Sequence, residues 1–135
     1  MPELIIPKDL LEKILDHCKM AFPNEACGIL AGKGEQVSRV YAMTNIEPSP
    51  VSYFMDPSEQ LRVQKEMRER GERMIAIFHS HPQSPAYPSA KDIKLAFYDD
   101  AVCMIVGLSG SGAGEIRAFT IIEGNVSDIG IRAVD

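Results

Sequence analysis

The segment MIAIFHSH, residues 74–81, constrains the fold more than any other part of the chain. Ile75 and Ile77 alternate with Ala76 and Phe78, so neither face is polar and the run reads as a strand buried within a sheet. His79, Ser80 and His81 turn the end of that strand into a polar tip, and PQSPAYP after it reads as a loop. A strand covered on both faces needs helices and further strands around it, and the rest of the sequence supplies them.

Leu11, Ile14, Leu15, Cys18 and Phe22 fall on one helical stripe bracketed by Pro7 and Pro23, which predicts a helix over residues 8–22. EACGILAGK and QVSRVYAMTN, on either side of Gly34, read as a hairpin of two strands. Residues 45–55, NIEPSPVSYFM, hold prolines and aromatics without a period, the mark of an ordered irregular loop. Asp56 as N-cap, Pro57 at the first position, Glu59 as the capping-box partner and Gly71 just past the end predict a second helix over 57–70. Ser89 and Asp92 have the S-x-x-D form that opens a third, shorter helix. Residues 101–109 read as a central strand, SGSGAG as a turn, and EIRAFTII and NVSDIGIRAV as an antiparallel end to the sheet. At 135 residues, 45% of them hydrophobic, the chain is sized for one domain spanning 1–135, of α/β (α+β) class with a mixed sheet.

Composition excludes several functions. Lys and Arg number 14 against 19 Asp and Glu, a net charge of -5, which argues against a nucleic-acid or anionic-membrane surface. Cys18, Cys27 and Cys103 are widely spaced with no C-x-x-C, so they read as free thiols in a reducing compartment. MPELIIPKDLLEK lacks the basic and apolar regions of a signal peptide, and no run is long enough to span a bilayer, so the expectation is a soluble, cytoplasmic protein.

The chemistry concentrates around the histidine pair. His79 and His81, two apart on a strand, point to the same side of the sheet, which is a metal-ligand spacing. Asp92 brings a carboxylate one helical turn after Ser89, and two histidines with one carboxylate leave open the fourth position that catalytic zinc needs for water. Bound zinc lowers that water's pKa from about 15.7 towards about 7 and polarises a carbonyl under attack. Glu25, in the loop before the EACGILAG strand, is the candidate base, and the Ser89 hydroxyl the candidate donor to an oxyanion. Each residue also has a plainer reading: Ser89 and Asp92 as an ordinary helix cap, Glu25 as a solvated loop carboxylate.

Glu25, then His79-Ser80-His81-Pro82, then Ser89 and Asp92 in the spacing H-x-H-x7-S-x2-D resemble in full the signature of the JAMM (MPN+) metalloprotease family. The likeness extends through NEACGILAG, MTNIEPSPVSYFMDPSEQLRVQKEM and HSHPQSPAYPSAKDIKLA, most of residues 10–110, and is to the family's small bacterial branch. The resemblance implies a mixed, mostly antiparallel curved sheet flanked by helices, of cytidine-deaminase-like architecture. It implies His79, His81 and Asp92 as ligands of one Zn2+ ion with a bound water, Glu25 as general acid/base and Ser89 as stabiliser of the tetrahedral intermediate. It further implies hydrolysis of the peptide or isopeptide bond after the C-terminal diglycine of a ubiquitin-like sulfur carrier protein, with release of cysteine, a step of cysteine biosynthesis, in the best understood case. The rival from another class is a non-catalytic MPN-type interaction module, which predicts a broken ligand set; here the set is complete. A zinc nucleobase deaminase requires a P-C-x-x-C that the chain lacks.

Tyr53 and Phe54 are candidate substrate contacts in the loop, with core anchoring as the alternative. Arg62 and Lys65 read as a solvated helix face, His17 as a surface residue, Cys27 as core packing, and Met67, Met74 and Met104 as gap-filling side chains.

Overall fold

The computed structural model describes residues 3–96, 100–109 and 114–135. Its elements in chain order are β1 (Glu3–Pro7), α1 (Lys8–Ala21), β2 (Cys27–Lys33), β3 (Gln36–Met43), α2 (Pro57–Arg70), β4 (Arg73–His81), α3 (Ala90–Lys94), β5 (Val102–Gly107), β6 (Glu115–Ile122) and β7 (Asn125–Val134). The strands form one closed sheet in the order β1-β3-β2-β4-β5-β6-β7. The expected class and mixed sheet are present: β2 and β3 form the hairpin, β6 and β7 pair antiparallel, and β4 runs parallel to β5. No helix among the described residues is long and apolar enough to cross a membrane.

Strand β4 is interior, with β2 antiparallel on one side and β5 parallel on the other. One core, beneath α1, gathers Leu4, Ile6, Ile14, Cys18, Leu30, Phe78 and Met104; a second, beneath α2, gathers Cys27, Ile29, Met43, Met55, Val63 and Met67. Strict alternation would put Ile75 with Ile77, yet Ile75 belongs to the α1 side together with Ala76 and Phe78. A bulge explains it: Leu30 pairs with Ala76 and the next residue, Ala31, with Met74, so Ile75 is passed over. Beyond the bulge the alternation is regular and carries Ile77, His79 and His81 to one face.

Local signals placed the helices well. Helix α2 spans 57–70 as expected, with the Asp56 carboxylate accepting the Ser58 N–H and Gly71 in the left-handed region at φ 68°. The Glu59 side chain does not complete a capping box; it accepts instead from the N–H and hydroxyl of Thr44 at 2.7 and 2.8 Å. Helix α1 ends at Ala21, so Phe22 lies outside it and is more than half exposed, and the most buried stripe is Leu10, Ile14 and Cys18. Strand β1 has no counterpart among the sequence expectations; its five residues pair in parallel with β7 from Glu3↔Gly130 to Pro7↔Val134. Of the SGSGAG turn, residues 110–113 lie outside the described residues.

Gly28 shows how tightly β2 is held in the sheet. A Cβ there would run into the Phe78 ring and stand 2.6 Å from the Tyr41 carbonyl oxygen, so both neighbouring strands would have to move. Gly28→Ala is expected to cost about 2–3 kcal/mol, read as a lower denaturant midpoint at unchanged slope; a loss below about 0.5 kcal/mol would contradict this packing.

Candidate metal centre

Strand β4 delivers both histidines. His79 stands opposite Cys27 of β2 and Ile105 of β5, His81 opposite Gly107, and both imidazoles are buried. After β4 the chain turns back so that the Pro85 carbonyl lies 2.7 Å from His81 Nδ1. A carbonyl only accepts, so Nδ1 carries a hydrogen; Nε2 then donates to Asp92 when the ring is protonated and presents its lone pair when the ring is neutral.

Helix α3 delivers the carboxylate. Ser89 caps it in a full capping box: its hydroxyl accepts the Asp92 N–H at 3.1 Å, and its own N–H donates to Asp92 Oδ2 at 2.9 Å. The capping role of Ser89 and Asp92 is thus present, and it leaves Asp92 Oδ2 facing both histidines. Asp92 Oδ2 lies 3.1 Å from each of His79 Nε2 and His81 Nε2, which are themselves 3.1 Å apart. Tetrahedral zinc with bonds of about 2.0–2.1 Å sets its donors roughly 3.3 Å apart, so this triangle fits such an ion. Burial works against the charge on Asp92, but the hydrogen bonds from His79 and His81 outweigh it and hold the carboxyl well below the usual range. For His81 burial likewise opposes the charge, and the Asp92 and Pro85 contacts outweigh it, so its pKa is raised.

Glu25, between α1 and β2, is 5% exposed, and its Oε1 is buried without a hydrogen-bond partner. Burial pushes its pKa up to about 7, with His81 pulling down and Asp92 pushing up. Its main chain is tied to the 45–55 loop: the N–H donates to the Ser49 carbonyl at 2.8 Å and the carbonyl accepts from Asn45 Nδ2 at 2.9 Å. On the other side Ala26 donates to the buried Ser80 hydroxyl at 2.8 Å.

The Tyr53 ring stacks on His79 with centroids 4.9 Å apart, and Phe54 is 55% exposed. Both line a cavity of about 240 Å³ whose wall includes His79, Asp92, Leu95, Val102, Cys103 and Ile121. Cys27 is fully buried, and burial pushes its thiol up to about 12, which fits packing and not nucleophilic attack. His17 is a correction: it is half-buried, its Nε2 lies 3.1 Å from the Cys27 carbonyl and its ring meets Phe78 edge-on, so it braces α1 against the sheet. Arg62 and Lys65 are exposed, as expected. Asn45 and Ser80 carry no local mark of their roles, because each is tied to a residue far along the chain, Glu25 and Ala26 respectively; for Ser80 the one available signal is its place on the opposite face from the two histidines.

Two imidazoles and a carboxylate converging at the end of an interior strand, with a buried acid alongside, form a two-histidine, one-carboxylate cluster that could hold a metal ion. Residues 7–122 match the model for prokaryotic homologs of the JAB domain, and the chain belongs to this JAMM/MPN+ family. It is 37% identical over 134 residues to the CysO-cysteine peptidase of Mycobacterium tuberculosis, covering 98% of this chain and 92% of that one. It is 38% identical over 122 residues to a protein of Thermus thermophilus named a probable TtuB-protein conjugate cleaving protease, covering 90% and 78%. The solution structure of protein DSY2949 from Desulfitobacterium hafniense superposes with a TM-score of 0.88 at 38% identity, covering 98% of this chain and 93% of that one.

Two outcomes are expected. Titration with Zn2+ loads one ion per chain, and Asp92→Ala weakens that binding by about 10²-fold or more; unaltered affinity would remove Asp92 from the ligand set. The second concerns Glu25, whose pKa moves from the ordinary 4.5 to about 7 on folding. Between those pH values the folded chain keeps a proton the unfolded chain has released, so stability falls as pH rises through this window. In chelator, Glu25→Gln should therefore gain on wild type by up to roughly 3 kcal/mol between pH 4 and pH 8, and a difference independent of pH would contradict this.

Proposed function

We propose that this chain is a zinc-dependent peptidase that hydrolyses the peptide or isopeptide bond after the C-terminal diglycine of a ubiquitin-like sulfur carrier, with cysteine as the residue released. The observation that carries this reading is the triangle of His79 Nε2, His81 Nε2 and Asp92 Oδ2 next to a buried acid with an unpaired oxygen. The names of the mycobacterial and Thermus relatives support the reaction class and the kind of substrate.

His79, His81 and Asp92 would hold zinc, which when bound acidifies water and polarises the carbonyl under attack. Glu25 takes the proton released by the attacking water and returns it to the leaving nitrogen; a pKa near 7 suits both transfers. Ser89 accepts the Asp92 N–H on its oxygen, so its own hydrogen is left to donate to the oxyanion of the tetrahedral adduct. The His81 Nδ1 contact with Pro85 and the capping box at Ser89 hold two of the three ligands in place before zinc arrives. Tyr53 and Phe54 form the wall along which the extended tail lies, and a diglycine without side chains brings the scissile carbonyl close to the ligands. Among the described residues no feature of the site favours the non-catalytic module.

The test is a sulfur carrier from the same genome extended by one C-terminal cysteine, followed by mass spectrometry with zinc-loaded enzyme. Wild type should remove the cysteine, and Glu25→Ala should bind zinc yet cut about 10²- to 10⁴-fold more slowly. Equal rates would remove Glu25 from the chemistry, and an intact carrier alongside cleavage of an isopeptide-linked one would move the substrate to that class.

A further inference from the structure

The half-buried side chain of Asn45, two residues past the end of β3, has every hydrogen-bonding position filled. Its Nδ2 donates to the carbonyls of Glu25 at 2.9 Å and Ser52 at 3.2 Å, and its Oδ1 accepts the N–H groups of Glu47 at 3.1 Å and Phe54 at 3.0 Å. Two donors and two lone pairs are all an amide possesses, and exchanging its oxygen and nitrogen would set like against like at all four contacts. Three of the partners belong to the 45–55 loop, and the fourth is the residue read above as the base, 20 positions away in the chain. Ser49 of the same loop accepts the Glu25 N–H at 2.8 Å, so both main-chain polar groups of Glu25 are bound to the loop.

These bonds matter because of what Glu25 lacks. Its Oε1 has no partner, so the tip of the carboxylate is not tethered from its far end and takes its aim from the backbone. The loop that holds this backbone also stacks Tyr53 on His79 and lines the cavity with Tyr53 and Phe54. We propose that Asn45 is a positioning residue that makes the 45–55 loop and Glu25 one rigid unit, so that the segment walling the cavity also aims the base at the ligand triangle. The inference rests on the reading of Glu25 as the base.

Asn45→Asp separates the two halves of this role. It keeps the shape and the acceptor for Glu47 and Phe54, preserving the bonds internal to the loop, but turns an oxygen towards the carbonyls of Glu25 and Ser52. Zinc stoichiometry should be unchanged, since the Asn45 side chain hydrogen-bonds to none of the three proposed ligands. On the cysteine-extended carrier kcat should fall about 10- to 100-fold with KM changed less than about threefold, as misaligning a base does; Asn45→Ala should lose at least as much. Thr44→Val, which removes the hydroxyl bond to Glu59 at the foot of the same loop, should lower the melting temperature and leave kcat alone. Wild-type kcat in Asn45→Asp, where Glu25→Gln is inactive, would overturn the positioning role and leave the proposed reaction standing, whereas an active Glu25→Gln would remove the base itself. An equal kcat loss in Thr44→Val would reduce Asn45 to loop stability alone. In the wild type, hydrogen exchange gives a reading free of substitutions: the Glu25 and Phe54 amides should show matching protection, and a difference beyond about tenfold would overturn the single-unit claim however the variants fold.

Discussion

Ser80 donates its N–H to the Ala26 carbonyl at 3.1 Å and accepts the Ala26 N–H on its hydroxyl at 2.8 Å, both in the buried interior. This reciprocal pair joins positions 54 apart in sequence, and each member adjoins a residue of the site: Ser80 lies between the two histidines and Ala26 follows Glu25. It also locks the register of β2 against β4. A slip of one residue would send Ser80 to the face now held by His79 and His81 and turn both imidazoles into the core beneath α1. The bulge at Ile75 sits upstream of this lock, so the irregularity is absorbed before the site is reached.

Given that register, two neighbouring carboxyls acquire opposite characters. Asp92 meets the Ser89 N–H and two imidazoles, and these donors overcome the cost of removing its charge from water. Glu25 is buried with one oxygen unpartnered, so desolvation dominates and its proton is held towards neutral pH. One acid is thus kept as an anion while the other stays able to exchange a proton, a division set by hydrogen-bond donors and not by residue type. The arrangement costs folding stability at Glu25, because its charge is removed from water without a compensating partner.

Features governed by neighbours in the chain were legible in advance. The ends of α2 follow from Asp56, Pro57 and Gly71, the capping box of α3 from Ser89 and Asp92, and the shared face of His79 and His81 from the two-residue period of a strand. What escaped the sequence depends on distant partners. Five residues of β1 carry too little pattern to announce a strand, and only β7, at the other end of the chain, makes them one. Glu59 looked like a cap because its spacing was right, but Thr44 offers two donors and wins. For His17 nothing local reveals that the Cys27 carbonyl lies within reach, so its sequence context reads as surface. Asn45 is the extreme case, an ordinary loop residue by composition whose four partners become visible only once the loop has closed on itself.

The closed sheet has a seam. Strand β1 is joined to β7 through five consecutive register pairs but meets β3 at one, Ile5 opposite Gln36, supplemented by the Ile5 N–H bond to the Glu35 carbonyl at 3.0 Å. A ring under thermal strain parts at its weakest join, and here that join lies two strands away from β4. The barrel can therefore unlatch at its N-terminal strand while β2, β4 and β5 stay zipped, so the strand that carries His79 and His81 is shielded from such a loss of order.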